Sequence, residues 1–188
     1  MDRFISDIHF GHKNCLAFDS RPFKTIEEHD KVLIDNWNDT VFCEDHVYIL
    51  GDISWHNSTK TIEIFEQLNG YKTLIRGNHD GKVLKNPKMR EQFVEIADYK
   101  ELTFDDGGGL VLCHYPILAF KNHYYNWVHF YGHVHTTWEY DIIEEARRRS
   151  IEVSGSPCNM INVGCMMPWM NYTPKTFTEI MSTYKEGD

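Results

Sequence analysis

Seven side chains spread over five short motifs have the types and spacing to bind divalent cations. They are Asp7 and His9 in SDIHFGH, Asp52 in LGDIS, Asn78 in RGNHD, His114 in LCHYP, and His133 and His135 in YGHVH. Carboxylate, amide oxygen and imidazole together suit manganese, iron or zinc, and suit copper or an iron–sulfur cluster poorly. Seven donors exceed the needs of one tetrahedral centre. With one carboxylate bridging, they fill a pair of sites of the kind that clamps an in-line displacement at phosphorus, the ions about 3.5–4 Å apart. Each motif alone has an ordinary reading, because Asn and Asp accept turn conformations and glycine punctuates loops. Independent turns would not consist so uniformly of ligand types. Asn78 is followed directly by His79 and Asp80, so an amide, an imidazole and a carboxylate share one turn.

The elements that must position these residues are legible as short apolar runs. RFIS (residues 3–6), HVYIL (46–50), YKTLI (71–75), LVLC (110–113) and WVHFY (127–131) read as strands, and each runs into one of the motifs. Helical spacing of Ile26, Leu33 and Trp37 predicts a helix over 25–37. Ile62, Phe65 and Leu68 predict another over 59–68, with Ser58 as its cap and Gly70 past its end. Strand, helix, strand, helix, strand is the rhythm of a parallel α/β sheet. In open sheets of that kind ligands bind outside the carboxyl ends of the strands, where the motifs fall.

The 188 residues are expected to form a single domain, 1–188, with a substantial core. Hydrophobic residues make up 41% and charged residues 25%, the balance of a folded globular chain. No apolar run approaches the ~20 residues needed to span a bilayer, and MDRFISDIHF lacks the pattern of a signal peptide, so a cytoplasmic location and no membrane partner are expected. Five scattered cysteines suggest neither disulfides nor a zinc ribbon. A net charge of −9 argues against broad attraction to nucleic acid without removing it from consideration. Bound cations would change the charge that a phosphorylated substrate meets. The basic run at Arg147–Arg149 reads as a solvated face.

In order and content, the motifs resemble the calcineurin-like metallophosphoesterase family, in its small single-domain bacterial and phage type. The resemblance covers Asp7 to His135, and INVGCMM (161–167) resembles the strand that follows the last ligands, with Cys165 at a peripheral position where serine is common. It implies an α/β fold: a two-sheet β-sandwich flanked by helices, in four αββα layers. It implies two divalent metal ions, manganese first, with iron, zinc or nickel as alternatives. Asp7, His9, Asp52 and His135 would hold one, and Asp52, Asn78, His114 and His133 the other, with Asp52 as the bridge. His79 would face the substrate phosphate and protonate the leaving oxygen, with Asp80 orienting it and favouring its charged form. The implied reaction is hydrolysis of a phosphodiester or small phosphomonoester by direct attack of water activated between the two cations, on a small phosphorylated substrate that includes nucleotides as candidates. Alternatives are a nuclease acting on polynucleotide and a non-catalytic protein-binding scaffold, against which the intact ligand set argues. Oligomeric state and native metal are left open.

His12 is a further candidate for substrate binding, with Asn78 and His79, and Lys13 a weaker one. Arg76 reads as a strand-end cation. Cys113 should point away from His114 into the core. His46, His56, His123 and His129 belong to no motif and read as structural. Phe130 is expected in the core, while Tyr124 and Tyr125 precede a strand and are open to a stacking role. Residues 136–159 and 168–188 carry no motif.

Overall fold

β-branched and aromatic runs bounded by glycine, proline and acidic residues form the strands. The computed structural model, which describes residues 1–185, orders the elements as β1 (Asp2–Ile5), α1 (Cys15–Phe18), α2 (Ile26–Thr40), β2 (His46–Ile49), α3 (Ser58–Phe65), β3 (Tyr71–Ile75), α4 (Pro87–Arg90), β4 (Glu95–Ala97), β5 (Tyr99–Thr103), β6 (Gly109–Cys113), β7 (Trp127–Tyr131), α5 (Trp138–Ser154), β8 (Asn159–Asn162), β9 (Lys175–Thr176) and α6 (Phe177–Lys185). No described helix is long and apolar enough to cross a membrane.

Two mixed sheets flanked by helices form the α/β architecture that the family resemblance implies, where the strand–helix rhythm alone suggests one parallel sheet. One runs β4-β3-β2-β1-β9 and the other β5-β6-β7-β8. The first is parallel except at β9, and the second is parallel except between β5 and β6. Strand alternation sets which side chains meet between them. Leu110, Leu112, Val128 and Phe130 face the first sheet and share its core with Phe4, Ile49 and Leu74, while Val111, Trp127, Tyr131 and Met160 turn the other way. Phe4 packs edge-on to Phe130 at 5.1 Å and stacks on Tyr48 at 5.4 Å.

The helices follow their sequence signals with two corrections. Thr25 caps α2 by accepting from the Glu28 amide, and Ile26, His29, Leu33 and Trp37 form its buried stripe. α3 is capped by Asn57 rather than Ser58. Asn57 has extended backbone and accepts from the Lys60 amide, which leaves Ser58 as the first helical residue. α3 also stops at Phe65 rather than Leu68, because bonds from Gln67 to Ile64 and from Leu68 to Phe65 tighten its last turn before Gly70 at φ +79°. The motif-free segment 136–159 contains α5, capped by Thr137 and ended by Gly155 at φ +66°.

The two sheets are stitched together at one end. Ser6 forms a bridge with Gly164, its amide donating to the Val163 carbonyl and its own carbonyl accepting from the Cys165 amide. Within INVGCMM the strand therefore ends at Asn162, and the next residues tie β8 to the end of β1.

Candidate metal centre

Beyond that stitch, five strand ends deliver the ligand-type residues to one place. β1 runs into Asp7 and His9, β2 into Asp52, β3 into Asn78, β6 into His114, and β7 into His133 and His135. The backbone there is strained. Asp7, His9, Asp52, His133 and His135 all have φ between +52° and +71°, the left-handed region that non-glycine residues seldom occupy. Each such residue costs on the order of 1–3 kcal/mol, so this concentration marks a site whose side-chain placement is enforced by its surroundings. Two glycines make the approach possible. A Cβ on Gly77 would sit 2.3 Å from Asp52 Oδ1, and one on Gly132 would sit 2.0 Å from Ser6 Oγ and 2.4 Å from Asp7 Oδ2.

The donors fall into two groups that share Asp52. In the first, ligand atoms of Asp7, His9, Asp52 and His135 all lie within 4.8 Å of one another. His9 Nε2 is 3.2 Å from His135 Nε2 and 3.7 Å from Asp52 Oδ2, and His135 Nε2 is 3.7 Å from Asp7 Oδ1. In the second, Asn78 Oδ1 lies 3.0 Å from both His114 Nε2 and His133 Nδ1, and His114 Nε2 lies 3.7 Å from Asp52 Oδ1. Donors held about 2.0–2.2 Å from one ion stand roughly 3.0–3.5 Å apart, so these separations fit a cation within each group. The two oxygens of Asp52 face different groups.

The surrounding bonds aim these donors. His114 Nδ1 donates to the Leu50 carbonyl at 2.7 Å, which leaves Nε2 as the lone-pair nitrogen on the Asn78 side. Asp7 accepts from the His133 amide, and Asp52 Oδ1 accepts from the His79 amide at 3.0 Å. Burial, and then the neighbouring Asp7, push the Asp52 carboxyl above its ordinary range, while burial and the nearby His135 hold the His9 imidazole well below its own. Two adjacent carboxylates and a neutral imidazole, all buried, present a lone-pair-rich cage that positive charge would stabilise. The residues fit divalent cations.

Several contributors are absent from the sequence reading. Asp19 accepts from His135 Nδ1 at 2.9 Å, the carboxylate–histidine pairing that fixes a ligand's tautomer, and receives Nε and Nη2 of Arg21 at 2.9 and 2.8 Å. Arg21, fully buried, also donates to the carbonyls of Asp7 and Ile8 and bonds His29 Nε2. The stretch FDSRPF, an acid two residues before an arginine, is the local signal that could have revealed this pair. Asn162 reaches the His135 carbonyl. Cys165 is not peripheral: it is fully buried, and its thiol donates to the Asp7 carbonyl at 3.2 Å.

Asp80 and His79 depart from expectation. Asp80 is buried, and its oxygens accept from the amides of Asp52, Ile53 and Gly77 at 3.2, 2.9 and 2.7 Å. It holds the Asp52 and Asn78 loops together rather than orienting the His79 ring. His79 Nε2 instead lies 3.9 Å from Asp52 Oδ2, and its ring is 4.2 Å from that of Trp55. Burial outweighs the nearby Asp80 charge, so its imidazole is lowered from the ordinary value, opposite to the sequence expectation. His12 stacks on Trp55 with ring centres 3.8 Å apart.

Elsewhere, Cys113 and Phe130 are buried and Arg76 pairs with Asp98 on the surface. His46, His123 and His129 bond Thr73 Oγ1, the Phe120 carbonyl and the Val111 and Tyr115 carbonyls respectively. His56, read as structural, bonds Asp30 and lines the cavity beside His79. Tyr124 and Tyr125 line a different cavity, with Phe104 and Phe177. Arg147 and Arg149 pair with Glu144 and Glu152 along α5.

Residues 3–160 match the family model described as calcineurin-like phosphoesterase. An uncharacterized protein from Methanocaldococcus jannaschii is 37% identical over 187 residues, covering 97% of this chain and 90% of its own. The gene 66 protein of Mycobacterium phage L5 is 30% identical over 135 residues, 62% of this chain and 63% of its own. A crystal structure of a protein of unknown function from Aquifex aeolicus superposes with a TM-score of 0.64 at 26% identity, covering 97% of this chain and 98% of that one.

Proposed function

The chain belongs to the calcineurin-like phosphoesterase family, and on that premise we propose that it hydrolyses a phosphodiester or a small phosphomonoester with two divalent cations, manganese foremost. The carrying observation is that two donor groups, Asp7/His9/His135 and Asn78/His114/His133, meet on opposite oxygens of Asp52. These residues would hold the pair. When bound, such cations neutralise phosphoryl oxygens and lower the pKa of a water from ~15.7 to about 7.

The chain's own groups do the rest. Asp52 fixes the spacing of the two halves, and Asp19 with Arg21 keeps His135 in the ligating tautomer. Asp80 locks the Asp52 and Asn78 loops against each other through backbone amides. His79 stands beside Asp52 with an exposed ring and donates the proton that the departing oxygen needs as the ester P–O bond breaks and the oxygen of water joins phosphorus. Burial lowers its imidazole from the ordinary value, which strengthens the protonated form as an acid while reducing its share at neutral pH.

The test is a panel of cyclic nucleotides, dinucleotides, nucleotides and sugar phosphates assayed separately with Mn, Mg, Fe and Zn. Turnover of at least one ester with at least one metal is expected. A folded protein that binds the metals and hydrolyses nothing in the panel would end the proposal.

A further inference from the structure

Beside His79 lies a cavity of about 300 Å³ lined by Ser54, Trp55, His56, Asn78, His79 and Lys82. His79, the proposed donor to the departing oxygen, lines it, so the group leaving phosphorus is the part of the substrate nearest to it. Its main wall is Trp55, 41% exposed. One face of the indole is covered by His12, whose ring lies 3.8 Å away and within 4° of parallel. His79 approaches the same indole at 4.2 Å.

The wall is held from behind. Asp30 accepts from the Gly11 amide at 3.1 and 3.0 Å, from His29 Nδ1 at 2.8 Å and from His56 Nε2 at 3.0 Å. It thereby ties the loop carrying His12 and the loop carrying Trp55 and His56 to α2. His56 packs so closely on Gly11 that a Cβ there would lie 2.5 Å from its ring. An exposed aromatic fixed this firmly is a preorganised stacking surface, and every nucleobase has a π-face to place on it. Lys82 also lines the cavity, and among the described residues it has no ion pair. An alkyl alcohol would use none of these features.

We propose that this cavity is a leaving-group subsite for a nucleoside, its base stacked on Trp55 and its ester oxygen beside His79, so that nucleoside phosphodiesters are the substrate class. The assignment rests on the phosphoesterase reading above for the identity of the group that enters, and the binding test below does not depend on turnover.

The experiment compares wild type, Trp55→Leu and Trp55→Phe. Adenosine, which carries no phosphate, is titrated by calorimetry into each protein, and methyl adenosine 5′-phosphate and dimethyl phosphate are compared as substrates with manganese. Wild type should bind adenosine, Trp55→Leu should bind it at least fivefold more weakly, and Trp55→Phe should recover most of the loss. KM for the adenosine ester should rise by a similar factor in Trp55→Leu, and the ratio of its kcat/KM to that of dimethyl phosphate should fall at least fivefold. Equal adenosine binding by wild type and Trp55→Leu, or no binding by either, overturns the subsite. So does an equal loss on both esters. Adenosine binding that depends on Trp55 in a protein that hydrolyses neither ester would uphold the subsite and instead defeat the hydrolase reading.

Discussion

His135 Nδ1 lies 2.9 Å from the Asp19 carboxylate, which also receives two nitrogens of Arg21. One nitrogen of a proposed ligand is thus committed to a buried ion pair, and the other is free to face Asp7 and His9. Asp19→Asn should weaken metal binding about 10- to 100-fold, the usual consequence of losing a carboxylate behind a ligating histidine. Metal titration of the folded variant checks this, and unchanged affinity would contradict it.

Asp52→Asn and His79→Ala should fail differently. The first removes the shared carboxylate, so metal content and turnover should fall together. The second should retain both metals and lose about 10²- to 10⁴-fold in rate, as expected of a general acid. Elemental analysis beside kcat separates the two, and a fully active His79→Ala would remove that residue from the chemistry.

Asp80 has a structural task. With its carboxylate taken up by three backbone amides, Asp80→Ala should destabilise the fold by on the order of 3 kcal/mol by orphaning buried donors. If Asp80 served only to orient His79, the melting temperature would hold while activity fell.

Cation binding should stabilise the folded protein by mass action, and relief of the Asp7–Asp52 repulsion gives that gain a physical source. Added manganese should raise the melting temperature in a concentration-dependent way, and a chelator should reverse it. The same titration on Asp52→Asn should give a much smaller shift.

Lys72 offers a pH test away from the site. Its ammonium is buried, donating to the carbonyls of Leu68 and Gly70, and burial pushes its pKa down to about 8. Below pH 8 folded and unfolded chains both carry the proton, so the cost of the buried charge is felt in full. From pH 8 toward ~10.5 the folded state sheds it first, the unfolded state binds more protons, and stability rises with pH. Relative to Lys72→Met, wild type should gain about 1–2 kcal/mol across that window, discounted for solvent near the ammonium. Chemical denaturation at pH 7.5 and 10.5 measures the difference.

Adjacent residues were readable because their chemistry is local. A strand run that stops at Asp, Asn or His announces where that side chain falls, and Asp7, Asp52, Asn78, His114, His133 and His135 are all placed by that rule. Contacts between distant residues were not readable. Asp19 and His135 are separated by 116 positions and Cys165 and Asp7 by 158, and no periodicity links them. Asp80 shows the same limit: its neighbour in sequence is His79, but its oxygens accept from amides at two strand ends.

By itself the sequence determined which atoms are available to hold cations and that they stand at strand ends, since residue type and local spacing suffice for that. It took the packed chain to show that Asp19 and Arg21 stand behind His135 and that Trp55 forms a wall beside His79. Those relations arise from packing between segments far apart in the chain, where burial and close approach choose partners that local pattern does not encode.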